Sequence, residues 1–221
     1  MVGVGVLEHR VRPSEGEPEG ALLLLHGRGA DHNDLWPLLD ALDPERRLIG
    51  VTARGPLSLP PGGWHWYVLG GIGYPERQSF TDTFAVLSGW LDAWMESRSL
   101  GPEQLIIGGF SQGAVMSHAL AFANGRPRPS ALVAFSGFMP TVDGFDMDLG
   151  DLAGMPVAIG HGTYDPVIGV EWGRQARDRL EAAGADVTYR ESPMGHTIDP
   201  AFVQQVARSV VGRPNSQNKA S

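Results

Sequence analysis

Cysteine is absent from the 221 residues, which removes disulfides, thiolate-bound metal and a cysteine nucleophile at once. Basic charge is scarce: 17 Lys and Arg stand against 25 Asp and Glu, a formal net charge of −8. The two signs are mixed along the chain, so no basic face is on offer to nucleic-acid phosphates or anionic lipid, and a nucleic-acid partner is not expected. Long apolar runs are missing as well. No stretch approaches the roughly 18 apolar residues of a membrane span, and Met1 to Arg12 lacks the basic-then-apolar pattern of a secretory signal. The expectation is a soluble, cytoplasmic protein without a membrane span.

What is present is enough apolar material, 42% of the residues, to build one substantial core. A single domain over residues 1–212 is expected, followed by a polar tail over 213–221 that has nothing to bury and should be disordered. Short apolar runs alternate with helix-like stretches, the pattern of a mainly parallel sheet with helices on both faces, and the fold class is α/β. The predicted strands are Val2 to Val11 at an edge, then Ala21 to Leu25, Leu48 to Thr52, Leu105 to Gly109, Ala131 to Phe135, Pro156 to Ile159 and Asp186 to Glu191. A first helix runs over Leu35, Leu38, Leu39 and Leu42, with Asn33 or Asp34 as its cap. Phe80, Phe84, Leu87, Leu91 and Trp94 share one face of a long amphipathic helix, where plain core packing accounts for them. Gly113 to Ala123 forms a mostly apolar helix. Gly184 closes another, and Asp199-Pro200 opens the last. The Gly- and Pro-rich loop from Ala53 to Pro75 reads as irregular, ordered by Trp64, Trp66 and Tyr67.

Chemistry concentrates where the predicted strands end. Gly109-Phe110-Ser111-Gln112-Gly113 matches G-x-S-x-G between a strand and a helix, the context in which a tight turn projects a nucleophilic hydroxyl. Flanking residues in such a turn must be small, which the two glycines satisfy. A serine hydroxyl needs a base to take its proton, and seven histidines compete. His196 lies in the loop after the last strand, with freedom for its imidazole. His9 and His118 read as surface or core packing, and His32 and His65 have no evident partner. Asp165, in the turn His161-Gly162-Thr163-Tyr164-Asp165-Pro166, is the best carboxylate to orient that imidazole. Asp143, Asp146, Asp148 and Asp151 remain alternatives from a polar connection. A developing oxyanion needs two preorganised donors: the backbone N–H of Gln112 is one, and that of Arg28, in Leu25-His26-Gly27-Arg28-Gly29, is the expected second. His26, Asp31 and His32 do not complete a zinc donor set, so no metal is expected.

Taken together and in order, Leu25-His26-Gly27-Arg28-Gly29-Ala30-Asp31, Gly109-Phe110-Ser111-Gln112-Gly113-Ala114, His161-Gly162-Thr163-Tyr164-Asp165-Pro166-Val167 and Gly195-His196 resemble the phospholipase/carboxylesterase family of small α/β-hydrolases, relatives of the acyl-protein thioesterases. The resemblance covers about residues 20 to 211. It implies the α/β-hydrolase fold and a cofactor-free serine esterase working through an acyl-enzyme, with Trp66 lining the entrance to the acyl site. Many relatives have Gly-Gly where this chain has Gly113-Ala114, so one extra methyl crowds the elbow. The short connection from Ser136 to Met155 leaves no room for a separate cap domain. An open site taking small esters of short or medium acyl chains is expected, with Trp66, Phe138 and Ile168 as apolar walls. Thioester or lysophospholipid hydrolysis uses the same machinery, and a non-catalytic binding module is the reading of another class. The assembly is expected to be a monomer or homodimer.

Overall fold

The computed structural model describes residues 7–212. Its elements in chain order are β1 (His9–Arg12), β2 (Gly20–Leu25), α1 (Trp36–Leu42), β3 (Leu48–Ala53), β4 (Leu57–Ser58), β5 (Trp64–His65), β6 (Leu69–Gly71), β7 (Tyr74–Pro75), α2 (Arg77–Glu96), β8 (Leu105–Phe110), α3 (Gln112–Phe122), β9 (Ala131–Phe135), β10 (Pro156–Gly162), α4 (Val170–Ala182), β11 (Asp186–Ser192) and α5 (Pro200–Val206). Seven strands form one sheet in the order β1-β3-β2-β8-β9-β10-β11. β1 runs antiparallel at one edge and every other pairing is parallel, as the α/β reading requires.

The sheet is covered on both faces, and the alternation of side chains along each strand divides the core accordingly. In β2, Leu22 and Leu24 pack with Leu39 and Leu42 of α1 and with Phe202 and Val206 of α5, whereas Leu23 and Leu25 pack with Phe80, Leu87 and Leu91 of α2 and Val115 and Met116 of α3. Residues 22–25 are fully buried. A side chain of this kind contributes roughly 1.5–3 kcal/mol when removed from water. Every residue of α3 is buried, which places that helix under α2 and against the sheet centre.

Three local expectations are corrected. Among the described residues the edge strand begins at His9, with Leu7 and Glu8 outside it, and ends at Arg12; residues 1–6 of the expected run Val2 to Val11, like the tail 213–221 expected to be disordered, lie outside the described residues. Neither Asn33 nor Asp34 caps α1: Leu35 occupies that position without a side-chain bond, and Pro37 sets the first turn. Asn33 is diverted, its amide oxygen accepting from the Arg10 guanidinium at 2.7 Å and its N–H donating to the Asp31 carboxylate at 2.8 Å. Finally, the loop from Ala53 to Pro75 is not irregular throughout. It folds into two small antiparallel pairs, β4 with β5 and β6 with β7. Asp199 does cap α5 as expected, accepting from the Ala201 N–H at 2.8 Å.

Candidate active site

Parallel strands end at a common edge, so the segments that follow β2, β3, β8, β10 and β11 meet there. β2 and β8 are direct neighbours, with Leu25 beside Gly109 in register. The turn after each strand therefore adjoins the other, and Ser111 stands between them.

Ser111 adopts φ 56° and ψ −123°, a backbone region that costs a non-glycine residue about 1–3 kcal/mol. The flanking glycines make that turn possible. A methyl group on Gly109 would come within 2.5 Å of the Gly113 carbonyl carbon, and one on Gly113 would overlap the Leu25 carbonyl oxygen. Ala114 is accommodated because its methyl packs against Gly137, where a further methyl would sit 2.5 Å away. Burial leaves Ser111 only 7% exposed.

The loops after β10 and β11 are stitched together. The N–H groups of Thr163 and Tyr164 donate to the carbonyls of Ser192 and Met194 at 2.8 and 3.0 Å. This seam brings Asp165 to His196. His196 Nδ1 lies 2.6 Å from Asp165 Oδ2, and His196 Nε2 lies 2.9 Å from Ser111 Oγ. The other Asp165 oxygen accepts from the N–H groups of Val167 and Ile168, both at 2.9 Å. Burial acts to raise the Asp165 pKa, but the bonds from His196, Ile168 and Val167 outweigh it and hold the carboxyl below its ordinary value. An ionised Asp165 accepts only, so Nδ1 of His196 carries the proton and Nε2 is free to accept from the serine hydroxyl. The Phe110 ring lies 4.7 Å from the imidazole.

The competing residues are elsewhere. Asp148 pairs with Arg128 at 3.2 Å, and no bond from Asp143, Asp146 or Asp151 reaches His196. His9 packs against Trp90, and His118 is enclosed within α3. Both ring nitrogens of His26 are engaged by backbone, Nε2 accepting from the Gly55 N–H at 2.9 Å and Nδ1 bonding the Gly27 carbonyl at 2.7 Å. Burial lowers the His26 pKa to about 4, with the Gly27 bond opposing. Sequence reasoning passed over His161, which lies buried beneath Asp165, 3.7 Å from Oδ2, and bonds the Ile168 carbonyl at 2.8 Å. Its only signal was the shared turn motif.

Gly27, which precedes Arg28, packs against Phe110 and Ser111, a methyl there standing 3.1 Å from the Phe110 ring and 3.4 Å from the serine Cβ. Gln112 opens α3, where a helix leaves its N–H without an internal partner. The three expected apolar walls fare differently. Trp66 has no exposed surface and its indole N–H donates to the His26 carbonyl at 2.8 Å, so it is part of the frame rather than an entrance lining. Phe138, its ring tilted against that of Trp172 at 5.5 Å, and Ile168 are also buried. Among the described residues, the exposed large apolar side chains are instead those of the β6–β7 hairpin and the residue before it (Val68, Leu69, Ile72, Tyr74), of the Asp165 turn (Tyr164, Val167), and Val11. A 290 Å³ pocket lies at the opposite end of β8, between α2 and Pro127 and Pro129, and is lined by none of Ser111, Asp165 and His196.

Among known proteins, a family model described as phospholipase/carboxylesterase matches residues 7–211. An acyl-protein thioesterase 1 from Gibberella zeae is 32% identical over 215 residues, covering 89% of this chain and 91% of that protein. The esterase YpfH from Escherichia coli is 29% identical over 208 residues, covering 89% and 84%. A carboxylesterase from Bacillus cereus superposes with a TM-score of 0.80 at 24% identity, covering 91% of this chain and 92% of the other, a likeness of fold.

Proposed function

The chain belongs to the phospholipase/carboxylesterase family, a family of esterase- and thioesterase-type hydrolases, and on that premise we propose that it is a serine carboxylesterase acting as one domain over residues 1–212. One observation carries the reading: Asp165, His196 and Ser111 form an unbroken hydrogen-bonded chain, 2.6 Å then 2.9 Å, that ends on a strained serine. His196 Nε2 takes the Ser111 proton as Oγ attacks the ester carbonyl. Asp165 stabilises the imidazolium that forms and does not itself take the proton. The oxyanion is bound by the N–H groups of Arg28 and Gln112. His196 then protonates the departing alcohol, and water, deprotonated by the same imidazole, releases the acid from the acyl-enzyme.

Short- to medium-chain esters are the proposed substrates. Support comes from the turn at Asp165, where Tyr164 and Val167 are the exposed apolar side chains while Ile168 is buried, a small apolar surface beside the triad. Thioester hydrolysis is a second reading, supported by the relatives described as acyl-protein thioesterases. Hydrolysis of p-nitrophenyl esters from acetate to palmitate, with wild type beside Ser111→Ala, tests the proposal. The expected result is a maximum at or below medium chain length and loss of turnover in the variant. Rates rising steadily to palmitate would overturn the substrate assignment. Activity confined to thioesters would favour the second reading, and wild type inert toward both would leave a binding module.

A further inference from the structure

The segment from Trp64 to Tyr67 supplies none of the three triad side chains, yet it is bonded to the loop after β2 and to the side chain of Gln112, the two segments that flank the proposed oxyanion site. Toward the loop after β2, the Gly29 N–H donates to the Trp64 carbonyl at 2.8 Å and the Trp64 N–H to the Ala30 carbonyl at 2.9 Å. The Trp66 indole N–H reaches across to the His26 carbonyl. Toward the elbow, the side-chain amide of Gln112 takes the place of a strand partner: its Oε1 accepts from the Trp66 N–H at 3.1 Å and its Nε2 donates to the Tyr67 carbonyl at 2.9 Å. Trp66 and Tyr67 are 0% and 1% exposed, so the three bonds they make to His26 and Gln112 lie away from water, whereas the pair between Trp64 and Gly29-Ala30 sits at a partly exposed edge. Burial of a Trp is ordinary core behaviour. A Trp whose backbone N–H and indole N–H are bonded to two different catalytic segments is not.

We infer that Trp66 and the side chain of Gln112 are positioning residues that set the distance between the backbone N–H groups of Arg28 and Gln112, and through it the binding of the oxyanion. The inference rests on the serine-esterase reading above. Donors of this kind stabilise a transition state only when held at about 2.7–3.1 Å from the developing charge, and they act because they need not move. Between the loops after β2 and after Ser111, the packing of Gly27 on Phe110 and Ser111 and of Gly113 on Leu25 and His26 resists approach but not separation. The five bonds through residues 64–67 supply the restraint in the other direction. His26 completes the frame: because Nε2 accepts from Gly55, Nδ1 carries the proton and donates to Gly27, which fixes the peptide adjoining Arg28.

The test compares wild type with Trp66→Phe, which keeps the ring and loses the indole donor, and Gln112→Met, which keeps the size and loses both amide bonds. Fluorophosphonate labelling to completion counts competent sites, and turnover of p-nitrophenyl butyrate is expressed per labelled site. The expected result is kcat lower by about 10- to 100-fold with KM within about twofold, the scale of an oxyanion donor that is displaced but not removed. Affinity for a trifluoromethyl ketone, which forms an oxyanion on Ser111, should weaken in parallel. A role in folding alone would lower the number of labelled sites and leave kcat per site unchanged, which would overturn the inference. Gln112→Met carries the test if Trp66→Phe does not fold. Wild type that neither labels nor turns over removes the esterase reading and this inference with it; active wild type with variants unaltered per site removes this inference alone.

Discussion

At the scale of single residues, the backbone at Ser111 stores strain that the surrounding glycines permit and that the packing of α3 maintains. The orientation of His196 depends on one carboxylate oxygen. Replacing it tests the tautomer argument: Asp165→Asn keeps the shape but presents an amide that can donate to Nδ1, which then favours the proton on Nε2, where it blocks the serine. Turnover should fall on the order of 10⁴-fold while KM and the folded state change little, by analogy with the same exchange in other triads. Steady-state kinetics on a short-chain ester, with circular dichroism as the check on folding, decide it. A loss of less than tenfold would mean that Asp165 is dispensable for orienting the base.

At the scale of elements, the loop carrying His196 is held at both ends by one side chain. Asp199 caps α5 through the Ala201 N–H and accepts from the Ser192 hydroxyl at 2.6 Å and from Arg190 at 3.1 Å. Those bonds join the end of β11 to the start of α5 across the loop. Asp199→Ala should cost about 1 kcal/mol as a lost cap, or roughly 2–4 °C in Tm for a chain of this size. It should also loosen His196, giving a fall in kcat larger than the stability loss alone explains at a temperature where the variant is folded. A variant with lower Tm and unchanged kcat would show that the stitches from Thr163 and Tyr164 hold the loop by themselves.

At the scale of the whole molecule, two histidines are buried in forms that resist protonation. Burial lowers His118 to about 3, with Arg179 adding to the effect, and lowers His26 to about 4, with the bond to Gly27 opposing. Both folded values lie below the ordinary 6.5 of the unfolded chain. Between pH 6.5 and about 4 the unfolded state therefore binds protons that the folded state refuses, so stability is full above pH 6.5 and is lost as pH falls toward 4 and 3. The depressed Asp165 acts in the same direction at lower pH. Urea unfolding at pH 7.0 and 4.5 should show a loss of several kcal/mol, on the order of 1.4 per histidine per pH unit. In His118→Leu the pH dependence should shrink by about one histidine's share. Equal unfolding midpoints at the two pH values would contradict the assignment.

Much of this protein was legible from its residues in order. The apolar run Leu22–Leu25, the glycines around Ser111, the chain order Ser111, Asp165, His196, and the Asp199-Pro200 helix start are local patterns, because strand burial, tight turns and caps are decided by neighbours in sequence. The placement of Trp66 was not legible. Its bonds run to Gln112 and His26, 46 and 40 residues away, and a Trp in a Gly-rich loop has the same sequence signature whether it faces solvent, substrate or frame. Phe138 and Ile168 went inward for the same reason, and Asn33 left the α1 cap because Arg10, on β1, offered a charged donor. Sequence alone determined the fold class and picked out Ser111, Asp165 and His196, the three side chains that the structure brings together, since periodicity and motif spacing are one-dimensional. Only the tertiary structure decided which apolar residues meet solvent and which side chains brace the site, because those outcomes depend on what the sheet order brings into contact.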